Sequence, residues 1–523
     1  MTLFQTPLKR RLTLAIAGAI LALAFAPLQW IPLAWVSFLS VFYALDQMES
    51  PKSAFWDGWL FGFSFFVASL YWVAIATTVD LAAFWWVIPF ALFGLPFILA
   101  FFVGPVFYLS VRFSDAGWSR IILFAIIWTV FEWLRTHLFT GFPWNLLGYI
   151  WTALVPVMQL ASWGGVYLLS FVTLLVIGIT HWGLKGGLVE KRIMLGTYIV
   201  SILAIILSFS RLQETPISTT GPWMRLVQPS IPQSLKWDPA QRENNLYRLL
   251  TLSHAQGEKP PQILIWPESA VSFLLDQEPR LRRLISQVIP EGSYLITGAP
   301  RRTPLEVEPV QIWNSVLILN HEGAVLKHYD KFHLVPFGEY IPWRKELSHY
   351  MDLSWMKKVT AGAIDFSMGV GPETLSFDHL PPFSPLVCYE AIFPGAVVST
   401  QDPRPDWLLN VTNDAWYGDS FGPYQHLEIV RMRAVEEGLP LVRAANNGVS
   451  AVFDAYGRKI VSIPLNEIGI RDFQLPSALP PTVYSQYGDG VIFSILVLAL
   501  ILWGCFGLRR SYRFHQKSSD LNQ

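Results

Sequence analysis

Apolar residues dominate the first two hundred positions, give way to shorter alternating runs, and return near the end of the chain. A helix crossing the roughly 30 Å hydrocarbon core of a bilayer needs about 20 apolar residues, because no water is there to satisfy its backbone. Eight segments meet or approach that length: residues 12–26, 28–46, 58–78, 83–111, 120–135, 163–183, 194–210 and 490–508. The first lies behind Lys9, Arg10 and Arg11 and ends Ala24-Phe25-Ala26, so it also reads as a secretory signal with a small-residue cleavage site. Residues 83–111 contain Pro89, Pro96 and Pro105. Two spans would need roughly 40 residues, so one long, tilted or kinked helix is predicted there.

The block 211–489 has a different rhythm. Short apolar runs at 223–228, 262–266 and 293–298 predict strands, and helical spacing is seen at 239–254, opening on Pro239, and at 278–288. Residues 314–320 and 324–329 flank Asn320-His-Glu-Gly323, a hairpin signal. Further strands are predicted at 385–388, 407–411, 441–445, 449–454 and 459–463, with a helix near 424–437 and a turn at Ala455-Tyr-Gly457. Mixed elements over this length imply a sheet-rich layered domain with helices outside.

Charge follows the same division. Residues 12–210 hold 7 basic and 7 acidic side chains, whereas 211–489 hold 24 and 30. With alternating spans, Lys9–Arg11, Lys52, Arg112, Arg120, Lys185, Lys191, Arg192 and the tail residues Arg509, Arg510, Arg513 and Lys517 all fall on one side. That side is expected to be the cytoplasm, with both termini in it. The expected organisation is a seven-span membrane domain at 1–210, an exported domain at 211–489, and an eighth span with a basic tail at 490–523. Glu132 and Arg135, three apart on a helix, are expected to neutralise each other. Basic and acidic residues number 38 each, so there is no positive field to collect nucleic acid. Cys388 and Cys505 are too few and too differently placed for a disulfide framework. His333 has no second histidine or cysteine at ligand spacing, so no metal is expected. No other cofactor is implied.

Candidate chemistry gathers at strand ends. Cys388 follows the apolar run Pro385-Leu-Val and emerges where a strand hands over to a loop. Its plainer alternative is a buried structural cysteine. Glu268 ends another strand in Ile265-Trp-Pro-Glu268-Ser269, where desolvation raises a carboxylate toward a general base's range. Lys331 lies in Tyr329-Asp-Lys331-Phe-His333-Leu-Val-Pro336-Phe-Gly-Glu339, a segment constrained by Pro, Gly and aromatic residues, and a lysine held there can face a developing oxyanion. Glu339 could equally be that lysine's buried partner.

These three segments, in the order Glu, Lys, Cys and spaced 63 and 57 residues apart, resemble the nitrilase superfamily. With eight hydrophobic spans, Gly141-Phe-Pro-Trp144, Asn314-Ser315 and Asn413-Asp-Ala-Trp416-Tyr417-Gly418, the chain is similar to that superfamily's membrane-embedded branch, the apolipoprotein N-acyltransferase family. The resemblance implies an αββα nitrilase-like domain facing the periplasm, joined to helices in a Gram-negative inner membrane. It implies Cys388 as nucleophile, Glu268 as base and Lys331 as oxyanion cation. Glu339, Glu390, Tyr389 and Asn314 would support that site, and Trp237, Trp416 and Tyr417 would line a lipid channel. Glu390 shares the face of Cys388 only if the strand continues that far. The implied partners are a phospholipid acyl donor, a diacylglyceryl apolipoprotein acceptor and the bilayer, with the enzyme a monomer. Two other readings remain: a membrane-anchored amidase or nitrile hydrolase using the same residues with water as acceptor, and a transporter or receptor with an exported sensing domain.

Overall fold

Local capping chemistry sets some of the helix starts in this chain. In the computed structural model Thr6 accepts from the Lys9 N–H at 3.3 Å and Pro7 fills the first turn of helix Pro7–Leu21, while Ser50 and Pro51 open Pro51–Leu70 in the same way. The structure describes residues 6–520 except 258, 305, 345–348, 351–357, 359, 361–363 and 378–379. Two compact units form: Met1–Tyr71, Pro89–Glu214 and Val483–Gln523 make one, and Trp72–Ile88 with Thr215–Thr482 make the other.

The first unit is helical. Its longer helices are Pro7–Leu21, Pro32–Leu45, Pro51–Leu70, Phe90–Phe113, Trp118–His137, Ala161–Lys185, Leu188–Glu214 and Gly490–Asp520. Phe90–Phe113, Ala161–Lys185 and Leu188–Ser210 are each long and apolar enough to cross a membrane. The span expected at 58–78 begins earlier, at the Ser50–Pro51 cap, and its helix ends at Leu70. The span expected at 83–111 begins at Phe90, because Asp80 caps a separate short helix, Leu81–Phe84, accepting from the Ala83 N–H at 3.1 Å. Pro96 and Pro105 have no N–H to donate, and around them the helix loosens to a π turn at Phe90–Gly94 and tightens to 3-10 at Ala100–Phe102. The tail residues Arg509, Arg510, Arg513 and Lys517 lie on Gly490–Asp520, with side chains outside the described part.

Charges inside this unit are compensated. The fully buried Asp57 pairs with Arg10 at 2.6 Å and Arg11 at 3.0 Å, and Asp46 pairs with His181 at 2.7 Å and Lys185 at 2.6 Å. Glu132 and Arg135 act on each other's charge, as expected of a neutralising pair, and each also bonds loop backbone. Arg135 Nη1 donates to the Phe142 and Trp144 carbonyls at 2.8 and 2.7 Å, and Glu132 Oε1 accepts from the Leu147 N–H at 2.7 Å. Loop backbone that cannot reach water takes up both ends of the pair. Close helix approach rests on glycine: a Cβ at Gly18 would lie 2.2 Å from the Phe61 carbonyl oxygen.

The second unit is built on two six-stranded sheets. Strands β1 (Thr219–Gln228), β2 (Ile263–Ile265), β3 (Tyr294–Arg302), β4 (Ile312–Asn320), β5 (Val325–Asp330) and β12 (Gly469–Pro476) form one, ordered β12-β1-β2-β3-β4-β5. Strands β6 (Leu375–Phe377), β7 (Leu380–Val387), β8 (Trp407–Thr412), β9 (Leu441–Ala445), β10 (Ser450–Phe453) and β11 (Lys459–Ile463) form the other, in reverse numerical order. Inward residues such as Leu226, Ile265, Val316, Val387, Leu409 and Val442 make one core between the sheets. Helices Arg242–His254 and Pro279–Ser286 cover the outer face of the first sheet and Gly422–Glu437 that of the second, giving four layers, α-β-β-α.

Gly18→Val should lower the thermal unfolding midpoint in detergent, by an amount near 2 kcal/mol of overpacking. Gly196→Val, at a position with open space around it, should leave the midpoint unchanged; equal effects at both sites would refute the close-approach argument.

Candidate active site

Sheet direction decides which residues meet. β1, β2 and β3 run parallel, β3 and β4 antiparallel, and β4 and β5 antiparallel. The ends of β2 and β5 and the start of β4 therefore share one edge of the first sheet. Glu268 lies three residues past β2, Lys331 one past β5, and Asn314 near the start of β4. In the second sheet β7, β8 and β9 run parallel, and Cys388 immediately follows β7.

The turn carrying Glu268 lies flat against β3. A Cβ on Gly298 would stand 2.6 Å from the Glu268 Cα and 2.5 Å from the Ser269 nitrogen, so only glycine admits this approach. The Gly298 N–H donates to the Pro267 carbonyl at 3.1 Å and the Ala270 N–H to the Gly298 carbonyl at 2.9 Å. Glu268 is buried and accepts from Asn314 Nδ2 at 2.7 Å; the same amide nitrogen donates to Glu339 Oε1 at 3.1 Å. Glu339 Oε2 pairs with Lys331 Nζ at 2.8 Å and accepts from the Val335 N–H at 2.8 Å. Asn314 thus joins two carboxylates, and one of them holds the lysine.

Cys388 has φ +52°, a left-handed backbone that costs a non-glycine residue about 1–3 kcal/mol and must be held by its surroundings. The strand ends at Val387 and turns into the 3-10 segment Cys388–Ile392, so Glu390 does not extend it; its carboxylate folds back. Oε2 accepts from the Val387 N–H at 2.6 Å, and Oε1 accepts from Tyr329 Oη at 2.9 Å and from the Phe332 and His333 N–H groups at 2.8 and 3.3 Å. This one buried carboxylate ties the thiol's turn to the segment that carries Lys331. Behind it, Asn410 Nδ2 donates to the Leu386 and Cys388 carbonyls at 3.1 and 3.4 Å, and Arg443 donates to Asn410 Oδ1. Arg443 also pairs with Asp414 at 2.5 Å, and His426 Nδ1 lies 3.0 Å from Asp414 Oδ1.

Burial sets the electrostatics. It pushes the Cys388 thiol up to about 12, reinforced by the Glu268 charge and opposed by Lys331. It raises Glu268 above the usual carboxylate range against the pull of Lys331, and lifts Glu390 to about 7. Burial also pulls on the Lys331 ammonium, but Glu339, with Cys388 and Glu268, outweighs it and holds the lysine above its ordinary range. Asp414 stays down at about 2 despite burial, because Arg443 and His426 face it.

The aromatic candidates spread more widely. Tyr417, whose hydroxyl is pushed well up by burial and by the charge at Cys388, packs edge-on against Trp72 at 4.6 Å; Trp72 in turn donates to Gln425 at 3.1 Å. Trp416 is partly exposed on the same 3-10 turn, Asp414–Tyr417, and Trp237 is half-buried at the end of the short helix Gln233–Lys236. Tyr389 is buried in an aromatic cluster with His333 and Phe393, at 5.6 and 5.1 Å. Lys236 is a site residue that motif reading passes over. It is 3% exposed and its Nζ donates to the Glu268 carbonyl oxygen at 2.9 Å. Arg443 could have been found, since one cation inside the apolar strand Leu441–Ala445 signals a buried partner.

The arrangement supplies a thiol, a carboxylate with a raised proton affinity and a fixed cation, the parts that acyl transfer through sulfur requires. Residues 17–179 match the apolipoprotein N-acyltransferase N-terminal domain, and residues 224–479 match the carbon-nitrogen hydrolase family. A Rhodopseudomonas palustris protein named apolipoprotein N-acyltransferase is 36% identical, covering 94% of this chain and 95% of that protein. Proteins of the same name from Rickettsia prowazekii and Bradyrhizobium diazoefficiens are 36% and 37% identical over 94% of this chain and 98% and 94% of theirs. Similarity at that level, running through both the helical and the sheet-rich unit, means that the chain belongs to the apolipoprotein N-acyltransferase family.

Proposed function

We propose that this protein moves a fatty acyl chain from a glycerophospholipid such as phosphatidylethanolamine, through a thioester on Cys388, to the α-amino group of the diacylglyceryl-cysteine that begins an apolipoprotein. The observation that carries this reading is the continuous contact from Glu268 through Asn314 and Glu339 to Lys331. It sets a base and a cation whose charges both act on the Cys388 thiol.

In the first half, the Glu268 carboxylate takes the proton from Cys388 Sγ as sulfur attacks the ester carbonyl. The Lys331 ammonium faces the oxyanion of the tetrahedral intermediate. Collapse breaks the ester C–O bond, and the departing lysophospholipid oxygen takes the proton back from Glu268. In the second half, the neutral amine attacks the thioester while Glu268 takes a proton from nitrogen. Collapse breaks the C–S bond and that proton returns to sulfur, leaving an amide and the resting thiol. Because the resting thiol is held up near 12, deprotonation accompanies attack and no standing thiolate is needed. Glu339 keeps Lys331 charged and placed, and Glu390 fixes the turn. The helical unit acts in eight spans that keep the enzyme with its lipid-anchored substrates, in an inner membrane with residues 211–489 on the periplasmic side.

Incubation with phosphatidylethanolamine should add one fatty-acyl mass to the intact protein. Hydroxylamine should remove it, and Cys388→Ala should never gain it; an acyl mass persisting in that variant would sink the assignment. Glu268→Gln and Lys331→Met should each lower kcat/KM by about 100- to 1,000-fold; Glu268→Gln should leave the unfolding midpoint unchanged, whereas Lys331→Met should lower it, because the buried Glu339 loses its partner. Glu268 acts as its carboxylate and burial raises its pKa, so activity should fall with acid at a pH above the ordinary glutamate range. A limb at the ordinary position in the pH profile of acyl-enzyme formation would count against it as the base.

A further inference from the structure

The active-site edge holds two buried lysines, and the mechanism uses one. Lys331 is matched by the Glu339 carboxylate at 2.8 Å, whereas Lys236, 3% exposed, donates to the uncharged main-chain oxygen of Glu268 at 2.9 Å. The helix Gln233–Lys236 that carries it is fastened at its other end, where Gln233 Oε1 accepts from Asn413 Nδ2 at 2.7 Å. Asn413 directly follows β8 and leads into the turn bearing Trp416 and Tyr417, and its Oδ1 accepts from Asn446 at 3.0 Å. One turn of helix therefore joins the Glu268 end of the first sheet to the β8 end of the second. A solvent-exposed position would suit a lysine better if fastening were the whole task, since burying an ammonium against a neutral carbonyl is costly. The titratable groups that face its amine are Glu268, past the end of β2, and Cys388, past the end of β7.

We propose that Lys236 is a second cation of the active site, a positioning residue that holds the Glu268 main chain in place and, while protonated, favours the negative charge passing between Cys388 and Glu268. It acts through these two groups and does not bond the substrate. Burial draws its amine down to about 8, against the charges of Glu268 and Cys388, so the contribution is present at neutral pH and is lost as pH rises through that value. An arginine in its place stays charged throughout. The proposal rests on the reading of Cys388 and Glu268 as nucleophile and base.

Lys236→Met and Lys236→Arg are compared with the wild-type enzyme in detergent, from pH 6 to 10. Two readouts are taken: the rate of acyl-enzyme formation from phosphatidylethanolamine, and the rate of iodoacetamide alkylation at the Cys388 peptide, resolved by mass from that of the exposed Cys505. The wild-type acylation profile should fall above a pH of about 8. Lys236→Met should acylate about 100-fold more slowly at neutral pH, lose that alkaline limb, and alkylate about tenfold more slowly at Cys388. Lys236→Arg should restore acylation to within about tenfold and remove the limb by staying charged. A Met variant that keeps the wild-type limb at reduced amplitude, or an Arg variant that keeps it, overturns the proposal and leaves Lys236 a structural tie. If Lys236→Met does not fold, the Arg profile decides alone. Wild-type protein that never gains an acyl mass marks failure of the function itself, and the alkylation profiles still test the coupling of Lys236 to the thiol.

Discussion

Glu268, Glu339 and Lys331 are buried beside one edge of the first sheet, and the ammonium is tolerable there because Glu339 pairs with it at short range. An isolated charge between two sheets would change its protonation state or force the site open. Here Glu339 lies 2.8 Å from Lys331, and Asn314 places one amide nitrogen between Glu339 and Glu268 at 3.1 and 2.7 Å. That amide lets Glu268 be near the cation without being consumed by it. Glu268 keeps a raised proton affinity and Lys331 keeps its charge, opposite requirements met by giving the lysine a different carboxylate as its direct partner.

The same economy governs the thiol. A left-handed Cys388 is strained by itself, and Glu390 holds the turn by accepting from Val387 while also gathering Tyr329, Phe332 and His333. Strand β7 and the segment after β5 are thereby fixed to each other across the two sheets, so the turn bearing Cys388 and the segment bearing Lys331 are held together. The buried cluster of Asn410, Arg443, Asp414 and His426 supports the turn from behind. Burial that raises the thiol to about 12 also keeps it protonated at neutral pH.

Much of this was legible along the chain, for identifiable reasons. The hairpin at Asn320–Gly323 closes as its residues suggest, with the Gly323 N–H donating to Asn320 at 3.0 Å and Gly323 at φ +79°. β12 was not foreseen, since Gly469–Pro476 alternates weakly and pairs with β1, about 240 residues earlier. Glu132 and Arg135 act on each other's charge as their spacing suggests, but their hydrogen bonds go to loop carbonyls and an amide from 142–147, and spacing along a helix carries no information about a loop returning beside it.

Composition and periodicity alone determined a membrane-type helical part, a layered part with strands outnumbering helices, and three candidate residues at strand ends. Those features depend on contacts within a few residues, or on the length of an apolar run against the thickness of a bilayer, and local sequence encodes both. Only the tertiary structure decided which side chain answers which: that Glu339 faces Lys331 while Glu390 fastens the Cys388 turn, and that Lys236 reaches the Glu268 backbone. These pairings arise in the turns and loops that follow strand ends. Lys331 and Glu339 are eight residues apart, Val387 and Glu390 three, and Lys236 and Glu268 32, so spacing does not rank them; the path of the intervening chain decides which groups meet.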